Sequence, residues 1–334
     1  MFDMGRRDFI TLLGGAAAAW PLAARAEQSE QVRRIGVLMA SEKSDPLGQA
    51  RFAALRQALA DLGWNEGRNL RIEDRWSGAA IDRIQAYAVE LVRLAPDVLV
   101  GNSTPVLSAL RQQTRSIPIV FVIVNDPVAQ GFIANLAHPG GNITGFTFFD
   151  EIFTIGKSLD LLKHLAPAVV RVGVMFNPDM TGYYTKFLRS FTTGPQSIGV
   201  ELKAAPVRSI GDIESTAAEL AEQPGGGLLV APDTFTLVHR EFIIRLAEQR
   251  RLPATFAYRQ FVKEGALMSY GPDTVDIFRR SASYVDRILK GANPGDLPAQ
   301  APVKYEFAIN LNTARTLGLN ASPTLLALAD EVIE

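Results

Sequence analysis

Arg34-Ile35-Gly36-Val37-Leu38-Met39 is a short apolar run opened by a basic residue, and Arg171-Val172-Gly173-Val174 repeats its start at an offset of 137. A run of this length without polar alternation suits a strand buried on both faces, as in a parallel sheet covered by helices on each side. Three more pairs recur in the same order. Leu62-Gly63 returns as Ile198-Gly199 (offset 136), Asp97-Val98-Leu99-Val100 as Gly227-Leu228-Leu229-Val230 (offset 130), and Ile117-Pro118-Ile119-Val120-Phe121 as Leu252-Pro253-Ala254-Thr255-Phe256 (offset 135). Each pair alone is weak. Four at nearly constant spacing mark an internal duplication.

Working outward from these strands, the connecting segments read as amphipathic helices. Phe52, Leu55, Leu59 and Leu62 share one helical stripe that stops at Gly63, and Ile84, Ala88, Leu91 and Leu94 form another. Leu70-Arg71-Ile72-Glu73 and 117–124 complete the strands of the first copy. Strands alternating with helices of this length predict an α/β fold made of two doubly wound, Rossmann-like lobes with parallel sheets, the chain first crossing between them near Gly145-Phe146-Thr147. After Tyr270 a helix through Phe278, Ala282, Val285 and Leu289 ends at the Gly/Pro-rich 291–295, followed by a strand at Glu306-Phe307-Ala308-Ile309-Asn310 and two short helices. This tail exceeds what one lobe needs, so several crossings are expected to form a hinge. The predicted lobes are 33–146 with about 272–296, and 147–271 with about 297–334.

The chain has 334 residues, 47 % hydrophobic and 21 % charged, with a formal net charge of −1. Mixed charge of this kind gives no basic face for nucleic acid. There is no cysteine, which excludes disulfides and thiolate chemistry. Residues 1–26 read as a cleaved export signal: Gly5-Arg6-Arg7-Asp8-Phe9-Ile10 is a twin-arginine pattern, Leu12 to Trp20 is apolar, and Ala24-Arg25-Ala26 is a small-x-small cleavage site. A retained membrane anchor is the weaker reading, because the apolar stretch is short, rich in Gly and Ala and interrupted by Pro21, and a soluble exported protein is expected.

In open α/β sheets, ligands bind beyond the carboxyl ends of the strands. Those ends carry Ser41, Asn102-Ser103-Thr104 and Asn125-Asp126 in the first lobe, and Asn177, Asp233-Thr234, Tyr258 and Ser269 in the second. Two such rims facing each other would line a cleft with hydrogen-bonding groups. Gly101-Asn102-Ser103-Thr104-Pro105 lies between strand and helix, with hydroxyls at the cap and Pro105 at the expected first helical position. It is either a plain cap or a seat for a ligand carboxylate. Asn125-Asp126 and Asp233-Thr234 are open to the same two readings, as caps or as partners for a ligand ammonium. Phe148 and Phe149 are the aromatics best placed for stacking, just past the first crossing.

Enzyme signals fail on their surroundings. Ser103 sits on a strand-turn-helix, but Pro105 replaces the second glycine of a nucleophile elbow. His138, His164 and His239 are the only histidines; His164 and His239 read as surface helix residues and His138 as part of a turn, none placed to serve Ser103. Gly156-Lys157-Ser158 lacks the first glycine of a phosphate loop and reads as a helix start, no Gly-x-Gly-x-x-Gly follows the first strand, and no His/Asp/Glu cluster has metal-ligand spacing. No catalytic residue, metal or cofactor is expected.

Ala137-His138-Pro139-Gly140-Gly141-Asn142-Ile143-Thr144-Gly145, Leu267-Met268-Ser269-Tyr270-Gly271 and Ile309-Asn310-Leu311-Asn312-Thr313-Ala314 resemble segments of the ABC-type substrate-binding proteins that include tryptophan and tyrosine binders. The resemblance spans the chain and implies the type I periplasmic-binding-protein fold. It implies a periplasmic protein that closes on a small organic molecule and delivers it to the permease and ATPase of an importer, touching the membrane only through the permease. It also implies binding roles for Ser41, Ser103, Thr104, Asn125, Asp126, Asn177, Asp233 and Tyr258. A sensing module that signals to a membrane receptor would need the same open and closed forms, and a hydrolase using Ser103 is the third alternative.

Overall fold

The computed structural model describes residues 32–148, 151–181, 184, 188, 199–222 and 224–334. The leader at 1–26, and Phe149, lie outside the described residues. Strands β1 (Arg33–Met39), β2 (Leu70–Trp76), β3 (Val98–Asn102), β4 (Ile119–Val124) and β5 (Ile143–Thr147) form one sheet in the order β2-β1-β3-β4-β5. All its neighbours run parallel, joined through helices α1 (Pro46–Asp61), α2 (Ile81–Arg93) and α3 (Thr104–Gln113).

The second sheet repeats that order. Strands β6 (Arg171–Phe176), β7 (Glu201–Pro206), β8 (Gly226–Val230), β9 (Ala254–Phe256) and β10 (Met268–Pro272) run β7-β6-β8-β9-β10, so the repeated sequence is a repeated topology. Two strands extend it, β11 (Tyr305–Asn310) beside β10 and β12 (Glu331–Ile333) at the edge. β11 runs antiparallel to β10, a departure from the all-parallel expectation. Its cause is the chain path: β11 is entered next to the end of β10, where Asp273 N–H donates to Lys304 O at 3.0 Å. β12 carries no readable signal because three edge residues headed by Glu331 make no apolar run.

The remaining described α-helices are α4 (Glu151–Leu165), α5 (Ile210–Ala221), α6 (Thr234–Val238), α7 (Arg240–Gln249), α8 (Arg259–Lys263), α9 (Thr274–Leu289), α10 (Leu311–Thr316) and α11 (Pro323–Ala327), and Pro294–Asp296 forms a single 3-10 turn. Helix α4 corrects one expectation: Gly156-Lys157-Ser158 is not its start but its second turn. The apolar stripe of Ile155, Leu159 and Leu162, all buried, carries the helix through the glycine despite a propensity cost of about 1 kcal/mol.

Helix α1 shows how local chemistry positions the cleft. Asp45 Oδ2 accepts the Gly48 N–H at 2.8 Å, and Pro46 fills the first turn, where no N–H is needed. Leu47, Phe52, Leu55 and Leu59 are buried, whereas Leu62 is 42 % exposed. The stripe ends a turn early because Leu62 is already the C-cap and Gly63, at φ +93°, turns the chain away. Helix α9 packs against α1 and the first sheet, although it follows β10 of the second. Its return passes Gln300, whose N–H donates to Gly145 O at 2.8 Å and whose O accepts the Thr147 N–H at 2.9 Å. Three connections thus lie side by side between the sheets.

Gly145 in β5 is fixed by space: an added Cβ would stand 2.0 Å from Phe121 O in the neighbouring strand. At Gly63 an added Cβ meets nothing within 4 Å, and only the positive φ opposes it. Gly145→Ala is therefore expected to destabilise by about 3 kcal/mol or more, and Gly63→Ala by about 1 kcal/mol. Urea unfolding of both variants checks the order.

Candidate functional site

The carboxyl ends of the two sheets border one narrow cavity of about 30 Å³, room for a water or two. The first lobe contributes Asn102, Ser103, Thr104 and Asn125, and the second Asp233, Thr234 and Tyr258. These seven are brought together. The other five residues expected there do not line the cavity. Ser41 is buried against the first turn of α1, since a Cβ on Gly48 would stand 2.3 Å from its Oγ. Asp126 faces solvent and accepts the Ala129 N–H at 3.0 Å, capping a turn. Phe148 is 1 % exposed, its ring 5.5 Å from that of Tyr258, so it packs beneath the cleft. Asn177 Oδ1 accepts the N–H groups of Asp179 and Met180. Ser269 is buried within β10, between β9 and β11.

The first rim is held in strained backbone. Ser103, the N-cap of α3, has φ 89° and ψ 161°, a region that suits glycine and costs about 1–3 kcal/mol for other residues. Its N–H donates to Val122 O, and its O accepts the Leu107 N–H, both at 3.0 Å. The conformation leaves Ser103 Oγ buried, making no cap bond and no other hydrogen bond. Thr104 takes the first helical position, and Pro105 is displaced to the second. Ile123 also holds positive φ, at 60°, where the β4–β5 register shifts between Val122 and Val124. The bulge turns Ile123 toward the cavity, where alternation alone would not place it.

On the second rim, Asp233 is 5 % exposed. Its Oδ2 accepts the Asn177 N–H at 2.7 Å and its Oδ1 the Thr236 N–H at 2.8 Å, closing a capping box at the start of α6. Burial raises its pKa to about 6 despite those donors, which pull the other way. The Tyr258 hydroxyl is likewise pushed above its ordinary value, chiefly by burial.

Arg51 was not expected in the site. It projects from α1 to the cavity wall at 1 % exposure, its guanidinium carbon 5.0 Å from the Tyr258 ring centre. Nε donates to Thr274 Oγ1 at 3.0 Å. Burial lowers its pKa, against opposing pulls from Tyr258 and Asp45. The sequence did carry a signal, because Leu47, Arg51, Leu55 and Leu59 recur every four residues and the arginine lies on the buried stripe. Nearby, Asp45 Oδ1 of the first lobe lies 2.9 Å from Arg240 Nη2 of the second, and Arg240 Nε donates to Glu264 at 2.7 Å. This ion pair crosses the cleft.

No histidine is among the described residues lining the cavity. His138 and His164 are exposed, and His239 lies at the junction of α6 and α7, its ring 4.5 Å from that of Phe235. Among the described residues no group of three His, Cys, Asp or Glu could hold a metal ion, and no helix is long and apolar enough to cross a membrane.

Comparison with known proteins matches residues 38–333 to the family described as ABC transporter substrate binding protein. A tyrosine-binding protein of Clostridioides difficile is 24 % identical over 291 residues, 87 % of this chain and 82 % of that protein. A conserved domain protein of Vibrio cholerae superposes with a TM-score of 0.83 at 28 % identity, covering 90 % of this chain and 100 % of its own. A Streptococcus pneumoniae ABC domain in complex with L-Trp gives 0.82 at 23 % identity, covering 90 % and 99 %.

The raised pKa of Asp233 has a definite sign. Folded protein holds this proton up to about pH 6, whereas the unfolded chain releases it near 3.8. The folded state is therefore favoured below that window and loses stability as pH rises through it, by about 3 kcal/mol at 1.36 kcal/mol per unit. In urea titrations of the ligand-free protein, the stability difference between parent and Asp233→Asn should move by about that amount in favour of the variant between about pH 4 and pH 7. A flat difference would count against burial as the cause.

Proposed function

Because the chain belongs to the ABC transporter substrate-binding protein family, we propose that it captures a small carboxylate-bearing molecule, amino-acid-like or aromatic, in the cavity between its lobes and hands it to the permease and ATPase subunits of an importer. The carrying observation is that polar residues from both rims converge on one cavity while the buried Ser103 Oγ of one rim and Thr234 Oγ1 of the other have no hydrogen-bond partner. Buried polar groups are almost always paired in folded proteins, so a ligand that pairs them binds where the protein alone is incomplete. Tyrosine binding by the clostridial relative and the L-Trp complex of the streptococcal neighbour favour an aromatic amino acid or a related acid.

Capture works by closure. The moving bodies are 33–146 with about 272–296, and 147–271 with about 297–334; the packing of α9 on α1 supports this division. The three adjoining connections act as the hinge, and the Asp45–Arg240 pair holds the closed form. The twin-arginine leader directs the protein to the periplasm, where it meets the permease as a soluble partner.

Two measurements test this. L-tyrosine, L-tryptophan and related aromatic acids should raise the melting temperature of the protein, because ligand bound only to the folded state stabilises it by mass action; no shift with any of them at millimolar concentration would remove the proposed ligand class. Asp45→Asn keeps an acceptor for the α1 cap but removes the charge across the cleft. Small-angle scattering of the ligand-free variant should give a larger radius of gyration than the parent, and an unchanged value would show that closure does not depend on the pair.

A further inference from the structure

Arg51, Ser103 and Thr234 all line the cavity, and their Nη2, Oγ and Oγ1 atoms are buried with no hydrogen-bond partner. Each can donate, and one carries a full positive charge. The guanidinium is held from two sides, by Thr274 Oγ1 at its Nε and by Tyr258 through a side-chain hydrogen bond and its ring at 5.0 Å, while Nη2 has no partner. The carboxylates nearby are committed elsewhere. Asp45 is engaged by Arg240 at 2.9 Å and the Gly48 N–H at 2.8 Å; Asp233 is engaged by the N–H groups of Asn177 and Thr236. A buried cation without a dedicated anion is expensive unless something else completes it.

We propose that Arg51 is the seat of the ligand carboxylate, with the Ser103 and Thr234 hydroxyls donating to the same bound group. This rests on reading the cavity as the ligand site and deepens it, since it selects oxyanions over amines. It also moves the anion away from a site made by the α3 helix start alone. Arg51 and Ser103 belong to the first lobe and Thr234 to the second, so a carboxylate between them links the lobes. Guanidinium and carboxylate are matched in shape for paired hydrogen bonds.

The test uses the full chain and two variants, Arg51→Met and Ser103→Ala, with acetate, L-tyrosine and tyramine as probes and chloride as the ionic control. Methionine fills similar volume without charge, and it removes the cost of burying a cation that has no dedicated anion. The ligand-free Arg51→Met variant should therefore melt at or above the parent temperature. Acetate should stabilise the parent saturably but not Arg51→Met. L-tyrosine should bind Arg51→Met about 30-fold or more weakly than it binds the parent, with a smaller loss in Ser103→Ala, and tyramine should bind neither. If acetate discriminates while L-tyrosine binds neither protein, the Arg51 seat stands and only the aromatic ligand falls. If parent and Arg51→Met respond alike to every probe, or tyramine binds the parent as tightly as L-tyrosine, the proposal is overturned. Equal binding of L-tyrosine by both would still leave the capture function intact.

Discussion

A parallel sheet covered by helices on both faces must be apolar throughout its middle, so polar chemistry can gather only where the strands end. β3 and β4 are buried at every position, and the residues just past them are Ser103, Thr104, Asn125 and Asp126. The second sheet obeys the same constraint, with Asp233 and Thr234 following β8 and Tyr258 following β9. Duplicating such a sheet and turning the copies toward each other produces a polar-walled gap without any dedicated motif. The side-by-side connections near Gly145, Gln300 and Lys304 keep the two edges opposed.

Strain on the first rim is consistent with that origin. Ser103 and Ile123 both hold positive φ at adjoining strand ends, and a β-branched residue there is a genuine outlier. Surrounding packing must fix both, because neither residue would choose that backbone alone. The second rim uses ordinary capping geometry instead, with Asp233 closing a box around Thr236. One wall is thus shaped by strained backbone and the other by hydrogen bonds to a buried carboxylate.

What the sequence made legible follows from the same physics. The repeated strands could be read because burial on both faces demands contiguous apolar residues, and the rim could be located because strand ends are predictable once the strands are. β12 could not be read, since an edge strand needs no apolar face. Arg51 was hidden for another reason. It sits on a helix rather than at a strand end, and a rule that searches strand ends passes over it. The every-four spacing with Leu47, Leu55 and Leu59 shows an arginine on an apolar stripe, a combination that burial statistics make rare enough to notice. Ser41, Asn177 and Ser269 are instead placed outside the cavity lining. They lie at or near strand ends, yet their side chains are absorbed by α1, by a turn and by the sheet.

The unpartnered donors bear on the proposed closure and on what would drive it. With the lobes apart, the donors of each rim can be hydrated, and their solvation offsets the loss of protein partners. Closing without ligand strips that water and leaves a guanidinium and two hydroxyls unsatisfied, a penalty charged only to the closed form. In that proposed closure the Asp45–Arg240 pair, 2.9 Å apart, would act in the opposite sense, favouring the closed form whether or not the cavity is filled. The position of the equilibrium is set by the balance between these two terms. A ligand that satisfies the donors removes the penalty in the closed state alone, and differential interaction of this kind is the only means by which binding can drive a conformational change.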